Sequence, residues 1–137
     1  MKTHAIGILA ARMAEPLFLI DTNICIYLLD GRGEKVRDRM ESCKRGEIVT
    51  SAIVRAEVML GAKVRDQVDR AEALFAQIEA LPFDSSAADA YTEIPFYRGN
   101  LDRFIGAHAI SLGLTLVTND ESDFADMPGL KVENWTV

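Results

Sequence analysis

Five carboxylates stand where a carboxylate is out of place or where a fold would use one. Asp21 ends the short apolar run Leu17-Phe-Leu-Ile20, and Asp120 follows Leu114-Thr-Leu-Val117 after the small hydrogen-bonding residues Thr118 and Asn119. Both positions lie at the carboxyl end of a buried strand, the edge at which open α/β sheets bind ligands. Asp123 follows three residues later. Glu57, four residues after Ile53 and three before Leu60, interrupts the apolar stripe of a helix, and Asp102 shares a helical face with Ile105, Gly106 and Ala109. A carboxylate on a buried face costs heavily unless it is paired or metal-bound. Converging carboxylates repel, and hard divalent cations with oxygen ligands, Mg²⁺ or Mn²⁺, are what reconciles them.

Each acid also has a plainer reading. Asp21 and Asp102 suit the start of a helix, where the macrodipole favours negative charge. Glu57 has Arg55 and Arg103 within reach as ion-pair partners. Asp120 and Asp123 are compatible with a polar loop. Other chemistry has little to stand on. His4 and His108 are the only histidines, and His108, inside an amphipathic helix, reads as a packed or capping residue. No Walker A, GxSxG or strand-following GxGxxG pattern occurs. Cys25 and Cys43 lack CxxC spacing and a plausible base, and read as buried free thiols of a reducing compartment. Arg103, beside Asp102, suits a contact to a phosphate or a surface role.

The elements that must position these acids follow from periodicity and punctuation. Leu17–Ile20 reads as a buried strand, with Thr22 or Asn23 capping a helix through Leu29. Gly31 and Gly33 separate it from a polar-faced helix over Glu34–Lys44 that Gly46 closes. Ile48–Thr50 is a second strand, and Ser51 caps a helix from Ala52 to Val64. Val68, Ala71, Leu74, Phe75 and Ile78 keep helical spacing, so helix is expected to continue over Asp66–Ala80. Leu81-Pro-Phe83 is an edge strand, since Pro82 cannot donate to a ladder. Ser85 or Ser86 opens a helix that weakens before Pro95. Asn100 caps a helix over Leu101–Leu112, closed by Gly113. Leu114–Val117 is the clearest strand, Thr118–Gly129 a polar loop, and Leu130–Trp135 a last strand. Strands alternating with helices at this spacing predict a mostly parallel sheet covered by helices on both faces.

With 137 residues, 49% of them apolar and 26% charged, the chain fits one globular domain. No apolar run approaches a membrane span. The net charge of −6 excludes nucleic-acid binding through a generally basic surface. The charge is nonetheless uneven: ten Lys/Arg face seven Asp/Glu between Arg32 and Arg70, while after Arg103 only Lys131 faces five acids. A polyanionic substrate thus requires something that neutralises the acidic end, which a divalent cation would do. Residues 1–16 carry Lys2 and the short apolar stretch Ala5–Ala11, but Arg12 interrupts before any tidy cleavage site. They are expected to be a flexible extension, with translation starting at Met1 or at Met13, and residues 17–137 to form the single domain.

Four ordered stretches carry a resemblance. Phe18-Leu-Ile-Asp-Thr-Asn-Ile-Cys-Ile-Tyr27 resembles the first strand and acidic motif of PIN-domain nucleases. Ser51-Ala-Ile-Val-Arg-Ala-Glu57 with Leu60-Gly61 resembles their second motif, and Leu101-Asp-Arg-Phe-Ile-Gly-Ala-His-Ala109 the third. Leu114-Thr-Leu-Val-Thr-Asn-Asp120, Asp123-Phe124, and Pro128-Gly-Leu130 to Asn134-Trp135 are similar to the fourth motif and last strand of VapC toxins. The match runs from about Leu17 to Trp135. It implies a PIN fold and a Mg²⁺-dependent endoribonuclease, Mn²⁺ being a possible substitute: the toxin of a type II pair. It implies Asp21, Glu57, Asp102 and Asp120 as the catalytic quartet, Asp123 as a further metal-site acid, and Asn23 and Thr118 as accessory polar residues. Asp21 with Asp102 or Asp120 would ligate directly, and Glu57 would serve a second ion or orient the attacking water. The resemblance further implies a VapB-type antitoxin partner, a homodimer that forms a heterotetramer or larger assembly with it, and a cytoplasmic location without a membrane. Two places depart from the family: Ala87–Asn100 is short and contains Pro95, and residues 1–16 precede the usual start. Two other readings compete with the nuclease: a catalytically silent PIN-like domain that binds RNA or protein, and a response-regulator-like domain using its aspartates for phosphoryl chemistry. The second of these would need a lysine after a late strand, and Lys131 is poorly placed for it.

Overall fold

The computed structural model describes residues 14–96, 98 and 100–137, so the expected N-terminal extension lies, as far as residue 13, outside the described residues. The elements run β1 (Phe18–Ile20), α1 (Thr22–Leu29), α2 (Glu34–Glu41), β2 (Ile48–Ser51), α3 (Ala52–Val64) and α4 (Val68–Gln77). They continue with β3 (Ala80–Leu81), α5 (Ser85–Tyr91), α6 (Leu101–Leu112), β4 (Thr115–Val117), a 3₁₀ turn (Glu121–Phe124) and β5 (Lys131–Glu133).

Among the described residues the strands form one sheet in the order β3-β2-β1-β4-β5. Every pairing is parallel, with Leu19 beside Val49 on one flank and Leu116 on the other. The expected α/β architecture is therefore present. β1 and β4 are central and buried on both sides, which is why they are apolar apart from the half-buried Thr115 that opens β4: Leu19, Ile20, Leu116 and Val117 are all 0% exposed. The chain winds outward from β1 to β3 and then crosses back to β4, so the direction of winding reverses between β1 and β4. Right-handed crossovers put helices from the two halves on opposite faces and leave a crevice at the carboxyl ends of these two strands.

Several boundaries follow the local chemistry foreseen for them. Ser51 caps α3 by accepting from the Ile53 N–H at 3.0 Å. Asn100 caps α6 by accepting from the Asp102 N–H at 2.9 Å, and Gly113 ends that helix at φ 69°. The expected edge strand is present as β3, but it lies at Ala80–Leu81 rather than Leu81–Phe83, ending before Pro82, which cannot donate to the ladder.

Other expectations are corrected. The cap of α1 is neither Thr22 nor Asn23 but Asp21, and that of α5 is Asp84 rather than a serine. α2 stops at Glu41, where the Ser42 hydroxyl turns back to donate to the Arg39 carbonyl at 2.6 Å. The helix expected over Asp66–Ala80 is present but shorter, Val68–Gln77, and it is a separate helix rather than a continuation of α3. α3 ends at Val64, Asp66 takes φ 58°, and α4 ends at Gln77. The break has a packing reason. Val54, Val58 and Ala62 of α3 and Ala71 and Phe75 of α4 are all buried, and the turn at Asp66 lets α4 pack back against α3. Aspartate tolerates this left-handed conformation better than most residues. The Thr118–Gly129 loop is not wholly polar in its packing, since Phe124 and Met127 are buried. Cys25 is buried as expected, whereas Cys43 is only half-buried.

Candidate active site

The first acid is fixed by the strand that carries it. The Asp21 N–H donates to the Val117 carbonyl at 3.1 Å, fastening the ends of β1 and β4 together. Its carboxylate Oδ1 accepts from the Ile24 N–H at 3.0 Å, so the helix-start reading of this residue is correct. The residue is also only 4% exposed. Burial pushes its pKa up to about 6, with the charge of Asp102 adding to the rise, while hydrogen bonds from Thr118, Ile24 and Asn23 oppose it. Helix cap and buried, strained charge coincide in one side chain. Burial and the neighbouring Asp21 charge also push the Cys25 thiol upward, which keeps it protonated and inert.

Thr118, at the end of β4 and 0% exposed, serves two acids. Its hydroxyl favours the charged form of Asp21 and accepts from the Asp120 N–H at 3.1 Å. Glu57 projects from α3, half-buried, and its Oε1 accepts from the Thr22 hydroxyl at 2.5 Å. The ion-pair reading of Glu57 does not hold: Arg55 lies over the Phe75 ring at 5.1 Å, and Arg103 points elsewhere. Asp102, half-buried in the first turn of α6, is pushed upward by desolvation and then by the charges of Asp123, Glu57 and Asp120, with Arg103 opposing. Asp120 is held low because the Ser122 hydroxyl donates to its Oδ1 at 2.7 Å. Asp123 is exposed and shifted upward by desolvation and by Asp120. The side chain of Asn23 is exposed, and its contribution to the site is a backbone N–H directed at Asp21.

Asp102 is thus the hub of the five expected acids: Asp21, Glu57, Asp120 and Asp123 are each coupled electrostatically to it. Among the described residues the ion pairs are Arg32–Asp30, Arg39–Glu133 and Arg103–Asp126, and none neutralises any of the five. No three Asp, Glu, His or Cys side chains among the described residues close around one point tightly enough to hold an ion as they stand. The donor chemistry nevertheless suits Mg²⁺ or Mn²⁺: all ligand atoms are oxygens, several are carboxylates, and Arg103, whose charge only partly offsets the upward shifts of Asp102 and Asp123, forms its described ion pair with Asp126 instead.

Three residues have roles that the sequence did not disclose. Thr22, read only as a possible cap, orients Glu57. Ser122 fixes Asp120. Arg103 is buried and ties three chain segments together, which corrects both the phosphate-contact and surface readings. His108 is the packed histidine expected: 1% exposed, its Nδ1 lies 2.8 Å from Ser51 Oγ, and the Phe83 ring meets it edge-on. A separate groove of about 680 Å³ lies between α1, α2 and α4, away from the acids. Leu28, Met40, Leu74 and Ile78 line it along with Arg37, Lys44, Arg45 and Arg70.

Comparison with known proteins agrees with this fold. The family model of the PIN domain matches residues 18–130. The tRNA(fMet)-specific endonuclease VapC of Shigella flexneri is 30% identical over 130 residues, covering 87% of this chain and 98% of that protein. Ribonuclease VapC2 of Rickettsia felis is 29% identical over 131 residues, covering 87% and 98%. Among solved structures, DNA-bound VapBC from Salmonella typhimurium superposes with a TM-score of 0.78 at 29% identity, covering 88% of this chain and 98% of that one. VapBC2 from Rickettsia felis, bound to a promoter DNA fragment, gives 0.75 at 26% identity, with 87% and 98% covered. Fold, ordered acids and relatives coincide over the same span, and the chain belongs to the PIN-domain family, among its VapC-type members.

Proposed function

We propose that this protein is the ribonuclease toxin of a VapBC-type pair, and that it hydrolyses RNA phosphodiester bonds with a divalent cation held by its acid cluster. The observation that carries the reading is the electrostatic coupling of Asp21, Glu57, Asp120 and Asp123 to Asp102 at the strand-end crevice, with none of the five in an ion pair among the described residues. Asp21, Asp102 and Asp120 would hold Mg²⁺, with Mn²⁺ as a substitute and Asp123 beside them. When bound, the ion supplies a more acidic water and charge stabilisation at the phosphorus. Glu57, with Oε1 fixed by Thr22, would use its other oxygen to orient the attacking water. Thr118 holds Asp21 and Asp120 in register with each other. In-line attack of this kind leaves a 5′-phosphate and a 3′-hydroxyl.

The solved neighbours, which are VapBC complexes, support an antitoxin partner of VapB type, and the same reading carries a homodimer assembling further with that partner and action in the cytoplasm as proposals. No helix among the described residues is long and apolar enough to cross a membrane. The acid cluster suits a partner's guanidinium, which would pair with the carboxylates and exclude metal and substrate together. The groove between α1, α2 and α4, apolar with cations around it, suits an amphipathic acidic segment of the same partner.

The test is RNA cleavage by the purified chain with Mg²⁺ and with excess chelator, beside Asp21→Asn. Cleavage that needs the metal and is lost in the variant supports the nuclease. A folded chain that binds RNA but never cuts it, with any added metal, would establish the silent binding domain instead.

A further inference from the structure

Asp120 and Asp123 sit on a turn that has every reason to leave the site. Asp123 is exposed, the backbone bonds from Asp123 N–H to Asp120 O at 3.3 Å and from Ala125 N–H to Ser122 O at 3.4 Å are long, and both acids repel Asp102. Two independent contacts to α6 oppose that departure. Arg103, 3% exposed, donates from Nη2 to Asp126 Oδ1 at 2.8 Å and to the Asp123 carbonyl at 3.4 Å, while Nη1 reaches the Pro95 carbonyl at 3.3 Å. One turn along the same helix, Gly106 leaves room for Met127 to lie directly against the helix backbone, with Phe124 close beside it.

We propose that Arg103 is a positioning residue that latches the Asp120–Met127 turn onto α6 and so holds Asp120 and Asp123 against Asp102. It acts through Asp126 and the backbone of Asp123, and touches no reacting atom. Its buried charge also opposes the upward shift of both Asp102 and Asp123, so the latch and the charge compensation come from one group. The planar fork of a guanidinium is what reaches three acceptors in two segments, the turn and the chain at Pro95; an ammonium at the same place serves fewer. The inference rests on the metal-dependent reading above, since holding the acids together matters only if they act on a common ion.

The experiment compares wild type with Arg103→Met, Arg103→Lys and Asp126→Asn, using Ile78→Val as a core control remote from the turn. Two readouts are taken: the Mg²⁺ concentration at the midpoint of the metal-induced rise in Tm, and kcat and KM for RNA cleavage. Groups that orient metal ligands typically change metal affinity by about tenfold or more. Arg103→Met is therefore expected to raise the Mg²⁺ midpoint and lower kcat by about tenfold each with KM within about twofold, and Arg103→Lys to fall between it and wild type. Should Arg103→Met fail to fold, Asp126→Asn, whose side chain is 39% exposed, carries the test with a smaller rise in the same midpoint. An unchanged midpoint in the folded variants, or one moved equally by Ile78→Val at matched Tm, overturns the latch alone. A wild-type Tm indifferent to Mg²⁺ overturns the metal reading and the latch with it.

Discussion

The hydroxyl of Thr22 donates to Oε1 of Glu57 at 2.5 Å, so the residue that follows the first acid orients the second. The two are 35 positions apart in sequence, one at the start of α1 and the other inside α3. A hydrogen bond to a charged group contributes about 1.5–3 kcal/mol, and less when partly exposed as here. Thr22→Val keeps the shape and removes the donor. It is expected to lower kcat about tenfold by releasing Glu57, with a stability loss of about 1 kcal/mol in urea denaturation. Thr22→Ser should retain most of the activity; equal losses in both variants would mean that the methyl packing, not the hydroxyl, matters.

Asp21 gives a pH dependence whose sign can be worked out. Its folded pKa of about 6 lies above the ordinary 3.8, so the folded chain holds a proton that the unfolded chain releases. The metal-free protein therefore carries no penalty below pH 3.8, loses stability as pH rises from about 4 to about 6, and carries the full penalty above that window. The displacement corresponds to about 3 kcal/mol, of which Asp21→Asn should recover about 2 at pH 7.5, because the buried amide still loses some hydration. Asparagine remains a good helix cap, so the bond from Ile24 survives. Denaturation series at pH 4, 5, 6 and 7.5 should show the variant gaining on wild type as pH rises, while RNA cleavage is abolished. A variant less stable at every pH would show that the charged carboxylate is stabilising.

What the sequence discloses about this molecule is what short-range chemistry decides. β1 and β4 are legible because strands buried on both faces must be apolar throughout, and the caps Ser51, Asn100 and Gly113 because each serves its own helix end. The acids are legible as interruptions of pattern. Their supports are not. Thr22 reaches across two elements to Glu57, and Arg103, adjacent to Asp102 in sequence, projects about 100° around the helix from it. That turn carries it away from the crevice and into the chain beneath the β4–β5 connection. The α3–α4 break was hidden because both halves keep helical apolar spacing, and the residue at the corner, Asp66, is not a glycine.

Crowding among the acids predicts how metal and charge removal act on stability. Asp102 is shifted upward by burial and by three neighbouring carboxylates, and any change that reduces that repulsion relaxes the folded state. Mg²⁺ at millimolar concentration should raise Tm, since it binds only the folded chain. Asp102→Asn should melt at or above the wild-type temperature without metal and be inactive with it, the Asn100 cap being untouched because it engages the backbone N–H. Thermal melts with and without Mg²⁺, run beside a cleavage assay, check both. Inactivity that merely follows a lower Tm would contradict the repulsion argument.

Gly106 lies on the face of α6 that also carries Asp102, one turn further along. A β-carbon there would overlap the Met127 side chain, and Phe124 closes the other approach. Met127 is 4% exposed and Phe124 2%, so the sulfur cannot swing outward without exposing apolar surface or shifting the turn. Gly106→Ala gains helix propensity of about 1 kcal/mol. Overpacking a close-fitting site costs about 1–3 kcal/mol, so a net loss of up to about 2 kcal/mol is expected. The more informative consequence is local. If the turn moves to make room, Asp120 and Asp123 move with it, and the Mg²⁺ concentration needed for cleavage rises while RNA binding is retained. Met127→Ala in the same background removes the overlapping atoms and should bring that requirement back toward the wild-type value, although the double variant remains less stable. Metal titrations of the single and double variants decide the matter. A Gly106→Ala protein that is destabilised but keeps the wild-type Mg²⁺ requirement would place the packing at this glycine in the core alone, without influence on the acids.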